Sequence, residues 1–257
     1  MAIDEAIFRE VSLHQSPPTI RFYTWDQPSV SIGYFQNALS DLNIPLLAEK
    51  KIPWVRRITG GRGVFHHLEL TYSFSAPVTL PSTQIPHDIK GSYQKISLGL
   101  ATGFKTLGFP VQLYTPPPHP VSLSEKKKGA RNPICFSTPS RHELLIEGKK
   151  VVGSAQKRDK KGFLQQGSIL LSHRLEDFSP FFRFYSEVGP QFIGLFDYIK
   201  KGISLSDLES NLIAGLEKGL GVTFVKGGLT RRESELAGEF HEKKYGSQNW
   251  NLNRLIS

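Results

Sequence analysis

Two residue types are nearly missing from this sequence: one cysteine, Cys135, and one methionine, Met1, stand among 257 residues. A lone cysteine cannot close an internal disulfide or build a cysteine-rich metal centre, and its solitude favours a reducing compartment. His66 and His67 are adjacent, so on a strand they point to opposite faces and cannot jointly grip a metal. No apolar run approaches the roughly 18 residues that a membrane span needs. The amino end, MAIDEAIFRE, carries Asp4, Glu5 and Glu10 where a secretory signal needs a basic start and an apolar run, and where a transit peptide avoids acids. These absences predict a cytoplasmic protein without a membrane partner. No repeat recurs at a fixed period.

Acidic residues are in the minority. Lys and Arg total 32 against 23 Asp and Glu, a net charge of +9, so the summed field attracts acidic partners. Charge alone does not make a nucleic-acid protein, and no recognition helix or RNA-binding motif accompanies it. Hydrophobic residues at 39% and 17 phenylalanines exclude a solvated, disordered chain. The length suits one large domain, taken here as residues 1–257 with no separate accessory carboxyl-terminal domain.

Ile3, Ile7 and Val11 recur at helical spacing, so the first dozen residues predict an amphipathic helix lying on one face of a sheet, stopped by Pro17 and Pro18. Thr19–Trp25 and Ser29–Tyr34 read as a strand pair across Asp26, Gln27 and Pro28. Trp54–Arg57 and Val64–Ser75 read as strands flanking a glycine-rich turn. Ile89–Leu107 predicts a helix ended by Gly108 and Pro110, followed by a long loop from Tyr114 to Asn132 with four prolines and the run Lys126–Lys128. His142–Arg158 predicts a hairpin about Glu147 and Gly148, and Gly167–Ser172 another strand. Helices close the chain at Ser206–Leu220, with Ser206 and Glu209 at capping-box spacing, and near Arg231–Lys244. Strands and helices interleave irregularly, so the fold expected is α+β, a mixed, largely antiparallel sheet packed with helices.

Three features could carry chemistry. Cys135 lies in NPICFSTPS between Arg131 and Arg141. It reads as a small buried hydrophobe or, if those arginines favour the thiolate, as an acyl acceptor. Lys150 stands on the second hairpin strand, and alternation places it on one face with Val152, Ser154 and Gln156. It reads as a solvated lysine, or as a ligand contact beside the small trio Gly153, Ser154 and Ala155, whose missing side chains leave room for a ligand. The loop Arg57-Ile58-Thr59-Gly60-Gly61-Arg62-Gly63 matches neither a Walker loop nor a dinucleotide fingerprint. It is a tight turn, or a cradle of backbone N–H groups and two arginines for a carbonyl, phosphate or carboxylate. Lys126–Lys128 reads as a solvated loop or an acidic partner's contact.

Taken together, RRITGGRGVFHHLELTYS (Arg56–Ser73), CFSTPSRHELLIEGKKVVGSAQKR (Cys135–Arg158) and LQQGSILL (Leu164–Leu171) resemble the biotin/lipoate protein ligase superfamily. Within it they are most similar to the cysteine-dependent octanoyltransferases. The likeness runs over about residues 1 to 175 and returns weakly at Tyr245–Trp250. It implies the superfamily's class II synthetase-like catalytic domain. It also implies an octanoyl group moved from acyl carrier protein to a lipoyl-domain lysine, on a glycine-cleavage carrier protein or a dehydrogenase subunit, with no cofactor and no metal. Cys135 would accept the acyl group and Lys150 would contact its carbonyl. Gly60, Gly61, His66, Gly153, Ser154 and Ala155 would line the acyl pocket, joined by Arg57 and Arg62 as acyl-substrate-binding residues. Arg62 makes the loop read GGRGV, closer to the transferases' GGRAV than to the ligases' GGGAV. Gly63, His142 and Gln166 depart from the family pattern. An ATP-dependent lipoate ligase and a non-catalytic lipoyl-domain-binding protein are the alternatives.

Overall fold

The computed structural model describes residues 1–79, 85–115, 142–172, 179–183, 192–199 and 202–256. The proline-rich loop from residue 116 onward, Lys126–Lys128 and Cys135 lie outside the described residues. Among the described residues no helix is long and apolar enough to cross a membrane.

In chain order the elements are α1 (Ala2–Ser12), β1 (Thr19–Tyr23), β2 (Ser29–Ile32), α2 (Ala38–Asp41), α3 (Ile44–Glu49), β3 (Trp54–Arg56), β4 (Val64–His66), β5 (Glu69–Pro77) and α4 (Ile89–Thr106). They continue with β6 (Gln112–Leu113), β7 (Leu144–Ile146), β8 (Lys149–Arg158), β9 (Gly162–Leu170), α5 (Leu195–Tyr198), α6 (Leu205–Leu220) and α7 (Arg231–Phe240). Six strands form one sheet in the order β1-β5-β9-β8-β7-β6, every neighbour antiparallel. A smaller sheet, β3-β2-β4, joins β2 to β3 in parallel and to β4 antiparallel. The mixed, largely antiparallel α+β architecture expected from the pattern is what forms.

One face of the large sheet buries Tyr72, Phe74, Val152 and Phe163 against α4 and α6, whose Ile96, Leu100, Leu212 and Leu216 complete the main core. Gly103 of α4 faces the Asn211–Leu212 backbone of α6, which lets the two helices approach closely. The other face carries α1, as expected, packed on β5 and β9. Beyond α7 the chain returns to β3: Trp250 Nε1 donates to Arg56 O at 2.8 Å and Arg56 N donates to Asn251 Oδ1 at 2.8 Å.

Several expectations need correction. β1 and β2 do not pair with each other; they belong to different sheets. Pro28 supplies no N–H and biases Gln27 toward extended backbone, so the short connection crosses between sheets instead of closing a hairpin. Val64–Ser75 is two strands, β4 and β5, separated where Leu68 adopts φ +51°. The break frees β4 to pair with β2 while β5 pairs with β1 and β9. The last strand before residue 172 is longer than Gly167–Ser172, beginning at Gly162. The cap of α6 is Ser204, accepting from Asp207 N, not Ser206. The hairpin about Glu147 and Gly148 is present, both residues having positive φ, as a tight turn matched to strand twist requires.

Candidate active site

Two adjacent arginines, Arg56 at the end of β3 and Arg57 just after it, tie different parts of the chain. Arg56 is fully buried and donates to the carbonyls of Gly33, Tyr34, Gln36, Asn251 and Leu252. It is a structural tie. Arg57 donates to Ser31 O, to Gly60 O at 2.8 Å and to Arg62 O at 2.6 Å, which fixes the curve of the loop. Gly61 takes φ +81°, and a Cβ there would lie 3.2 Å from Ala155 Cβ, so the loop rests directly on β8. Gly33 permits that approach, since a Cβ on it would lie 2.0 Å from Gly61 O.

A β-bulge decides where Lys150 points. Leu144 pairs with Val152 but Leu145 pairs with Lys150, leaving Val151 as an extra residue on β8. Leu144, Val151 and Val152 all enter the helix-side core, and Lys150 shares the opposite face with Leu145. Simple alternation, which grouped Lys150 with Val152, Ser154 and Gln156, is therefore wrong here. Lys150 instead shares the face of Gly153 and Ala155. It is 1% exposed, not solvated, and its Nζ donates to Glu143 Oε1 at 2.6 Å. Ser154 faces the helices: its Oγ lies 2.7 Å from Tyr72 Oη, which also accepts from Gln165 at 2.8 Å. Burial pushes the Tyr72 hydroxyl up to about 12, so it stays protonated.

Between the loop, β8 and the small sheet lies a cavity of about 30 Å³. Arg57, His66, Gly153, Ser154 and Ala155 line it together with Ser31, Thr71, Gln166 and Ser168. Its exposed lining is mostly apolar, with a hydrogen-bonded series of side chains at the floor. His66 Nε2 is 2.7 Å from Ser31 Oγ, and His66 Nδ1 is 3.1 Å from Glu69 Oε1. Trp25 stacks on the imidazole at 4.0 Å, held by its own N–H to Thr71 Oγ1 at 2.9 Å. Burial lowers the His66 pKa, opposed by Glu69 and reinforced by Arg57 and the amino terminus. His67, on the other face, is exposed.

Of the residues singled out in the sequence, the structure gathers Arg57, His66, Gly153, Ser154 and Ala155 about one cavity, and Gly61 rests against Ala155 at its side. Lys150 sits on the same sheet face, three residues before Gly153. Gly60 and Arg62 enter through carbonyls bonded to Arg57, while Arg62 itself is exposed and outside the cavity lining. Sequence reasoning missed Gly33, Ser31, Glu69, Thr71 and Ser168. The signal was there for β5, where Glu69, Thr71, Ser73 and Ser75 alternate with Leu70, Tyr72, Phe74 and Ala76; such a row looks solvated until α1 covers it, and all eight residues are buried. A larger cavity of about 680 Å³ lies at the far edge of the sheet, between β1 and residues 222–230. Neither the lysine nor the glycine loop reaches it.

The site thus combines a buried, ion-paired lysine, a glycine loop resting on a strand stripped of side-chain bulk, and an imidazole within hydrogen-bond distance of a hydroxyl and a carboxylate. The model of the lipoyl protein ligase A/B catalytic domain matches residues 1–217. The octanoyltransferase LipM of Staphylococcus epidermidis is 39% identical over 97% of this chain and 92% of its own. That of Brevibacillus brevis is 37% identical over 99% and 94%, and that of Bacillus subtilis 35% over 99% and 93%. Among solved structures, lipoate-protein ligase A bound with ATP superposes with a TM-score of 0.80 at 25% identity, covering 99% of this chain and 93% of its own. A putative lipoate protein ligase from T. acidophilum with bound lipoic acid gives 0.78 at 25% identity, over 99% and 93%. The chain belongs to the lipoyl protein ligase A/B catalytic domain family.

Proposed function

We propose that this protein is an octanoyltransferase of lipoate assembly that works through a thioester on Cys135. The Cys135 thiolate attacks the thioester of octanoyl-acyl carrier protein and takes the octanoyl group. The ε-amine of a lysine on a lipoyl domain, of a glycine-cleavage carrier or a dehydrogenase subunit, then receives it as an amide. Thioester exchange is nearly balanced and amide formation is downhill, so neither ATP nor a metal enters the scheme. The net charge of +9 suits acidic carrier and acceptor domains, and the lone cysteine suits the cytoplasm.

The observation that carries this reading is the bulge that turns Lys150 onto the face of Gly153 and Ala155, where Glu143 holds it at 2.6 Å. An ammonium fixed beside the acyl carbonyl stabilises the oxyanion that develops in both steps; one such donor is worth about 2.7–4 kcal/mol. The near full-length likeness to octanoyltransferases supports the same acyl group.

A second reading, ATP-dependent lipoate ligation, is favoured by the ligases among the structural neighbours. Mass spectrometry after mixing with octanoyl-acyl carrier protein separates the two. The transferase gives a hydroxylamine-labile octanoyl adduct on Cys135, absent in Cys135→Ala, without nucleotide. Normal transfer by Cys135→Ala, or absolute dependence on ATP and free lipoate, would defeat the transferase scheme.

A further inference from the structure

An acceptor lysine reaches the enzyme as an ammonium at neutral pH and cannot attack a carbonyl until a base removes a proton. Lys150 does not serve, because it is the donor in the 2.6 Å ion pair with Glu143. The cavity floor offers another route. Arg57 Nη1 donates to Ser31 Oγ at 3.1 Å, and a guanidinium can only donate, so Ser31 turns its own proton toward His66 Nε2, 2.7 Å away. Glu69 Oε1 accepts from Thr71 and lies 3.1 Å from His66 Nδ1, which therefore carries the ring proton. The imidazole thus presents its lone pair to Ser31, and Ser31 lines the cavity.

Two buried atoms on the same floor make no hydrogen bond among the described residues: Glu69 Oε2 and Ser168 Oγ. A buried carboxylate with one oxygen unsatisfied gains when positive charge arrives beside it. An imidazolium at His66 supplies that charge, and the Trp25 face stacked on the ring stabilises it further. The charged groups that face His66 are Glu69, Arg57 and the amino-terminal ammonium.

We propose that Ser31, His66 and Glu69 form a proton relay that deprotonates the acceptor lysine, a role that rests on the acyl-transfer reading above. The ammonium gives one proton to Ser31 Oγ as Ser31 passes its own to His66 Nε2, leaving an imidazolium paired with Glu69. The free amine attacks the octanoyl carbonyl; the C–N bond forms, the C–S bond breaks, and Cys135 leaves with the sulfur's electron pair. The second nitrogen proton goes to that thiolate. The imidazolium returns its proton to solvent through Ser31.

The test uses octanoyl-loaded enzyme and two acceptors, an apo-lipoyl domain and hydroxylamine, which is already neutral at pH 7 and needs no base. In His66→Gln and Ser31→Ala, whatever the altered cavity does to the bound octanoyl group reaches both acceptors alike, so release to hydroxylamine serves as each variant's reference rate. Transfer to the lipoyl domain should slow by about 100- to 10,000-fold, the usual range for a lost general base. The wild-type transfer rate should rise with pH through a limb below the ordinary histidine range, and that limb should vanish in His66→Gln. Lipoyl-domain transfer at the wild-type rate, or equal losses with both acceptors, would overturn the relay while leaving the thioester scheme standing. Failure of the wild type to load Cys135 at all would overturn the scheme and the relay with it.

Discussion

Lys150→Met keeps an unbranched side chain that ends where the ammonium begins and removes its charge, so it isolates what the ammonium does. In the wild type that ammonium is 1% exposed and lies 2.6 Å from the carboxylate of Glu143, itself 4% exposed. Removing one partner of a buried ion pair costs about 3–5 kcal/mol, because the other charge stays behind in a poorly solvating interior. For a chain of this size each kcal/mol moves the midpoint by about 2–4 °C, so Lys150→Met should lower Tm by roughly 6–20 °C. Replacing both partners, as Lys150→Met with Glu143→Leu, removes both charges together and should return most of that loss. Calorimetry reads the stability of all three proteins, and a single-turnover assay reads their octanoyl transfer. The double variant should melt near the wild type and still transfer about a hundred- to a thousandfold more slowly. If transfer returns along with stability, the lysine acts only as a structural ion, and the oxyanion role assigned to it is wrong.

Gly33→Ala should fold but place its Cβ against Gly61 O, 2.0 Å away, forcing the glycine loop off β8; transfer should fall while stability drops by an amount typical of overpacking, about 1–3 kcal/mol, and unchanged kinetics would show the loop position to be irrelevant. Arg56→Lys cannot reach the five carbonyls that the guanidinium joins, so urea unfolding should show a loss of about 1–3 kcal/mol; an unshifted midpoint would contradict the tie between β3 and the carboxyl-terminal turns. Asp4 gives a pH prediction. Burial by itself would raise its carboxyl pKa, but the amino terminus, Arg21, and the hydroxyls of Tyr23 and Ser73 bring it below the usual carboxylate value. A folded pKa below the unfolded one adds stability above the unfolded value, about 3.9, and loses it as pH falls through the folded one. Stability should therefore decline on acidification below about pH 4, and Asp4→Asn, less stable at neutral pH, should show a shallower decline; parallel acid profiles would contradict the assignment.

Local chemistry was legible in the residues themselves. The apolar spacing of Ile3, Ile7 and Val11 sets α1, the Glu147-Gly148 pair sets the β7–β8 hairpin, and Gly108 with Pro110 ends α4. The glycine loop and the small Gly153-Ser154-Ala155 trio were marked as places where a ligand fits, because missing side chains are visible in a sequence. Tertiary structure alone decided which surfaces meet. Alternation has a period of two only while no residue is inserted, so the bulge at Val151, which turns Lys150 toward the site, is fixed by the pairing of β8 with β7 and not by the order of residues in β8. Likewise Ser31, His66 and Glu69 come from β2, β4 and β5, two sheets and up to 38 positions apart. Glu69 and its polar neighbours on β5 look like a wet face until α1 covers them, because burial belongs to the whole packed structure and a strand cannot announce what will lie against it.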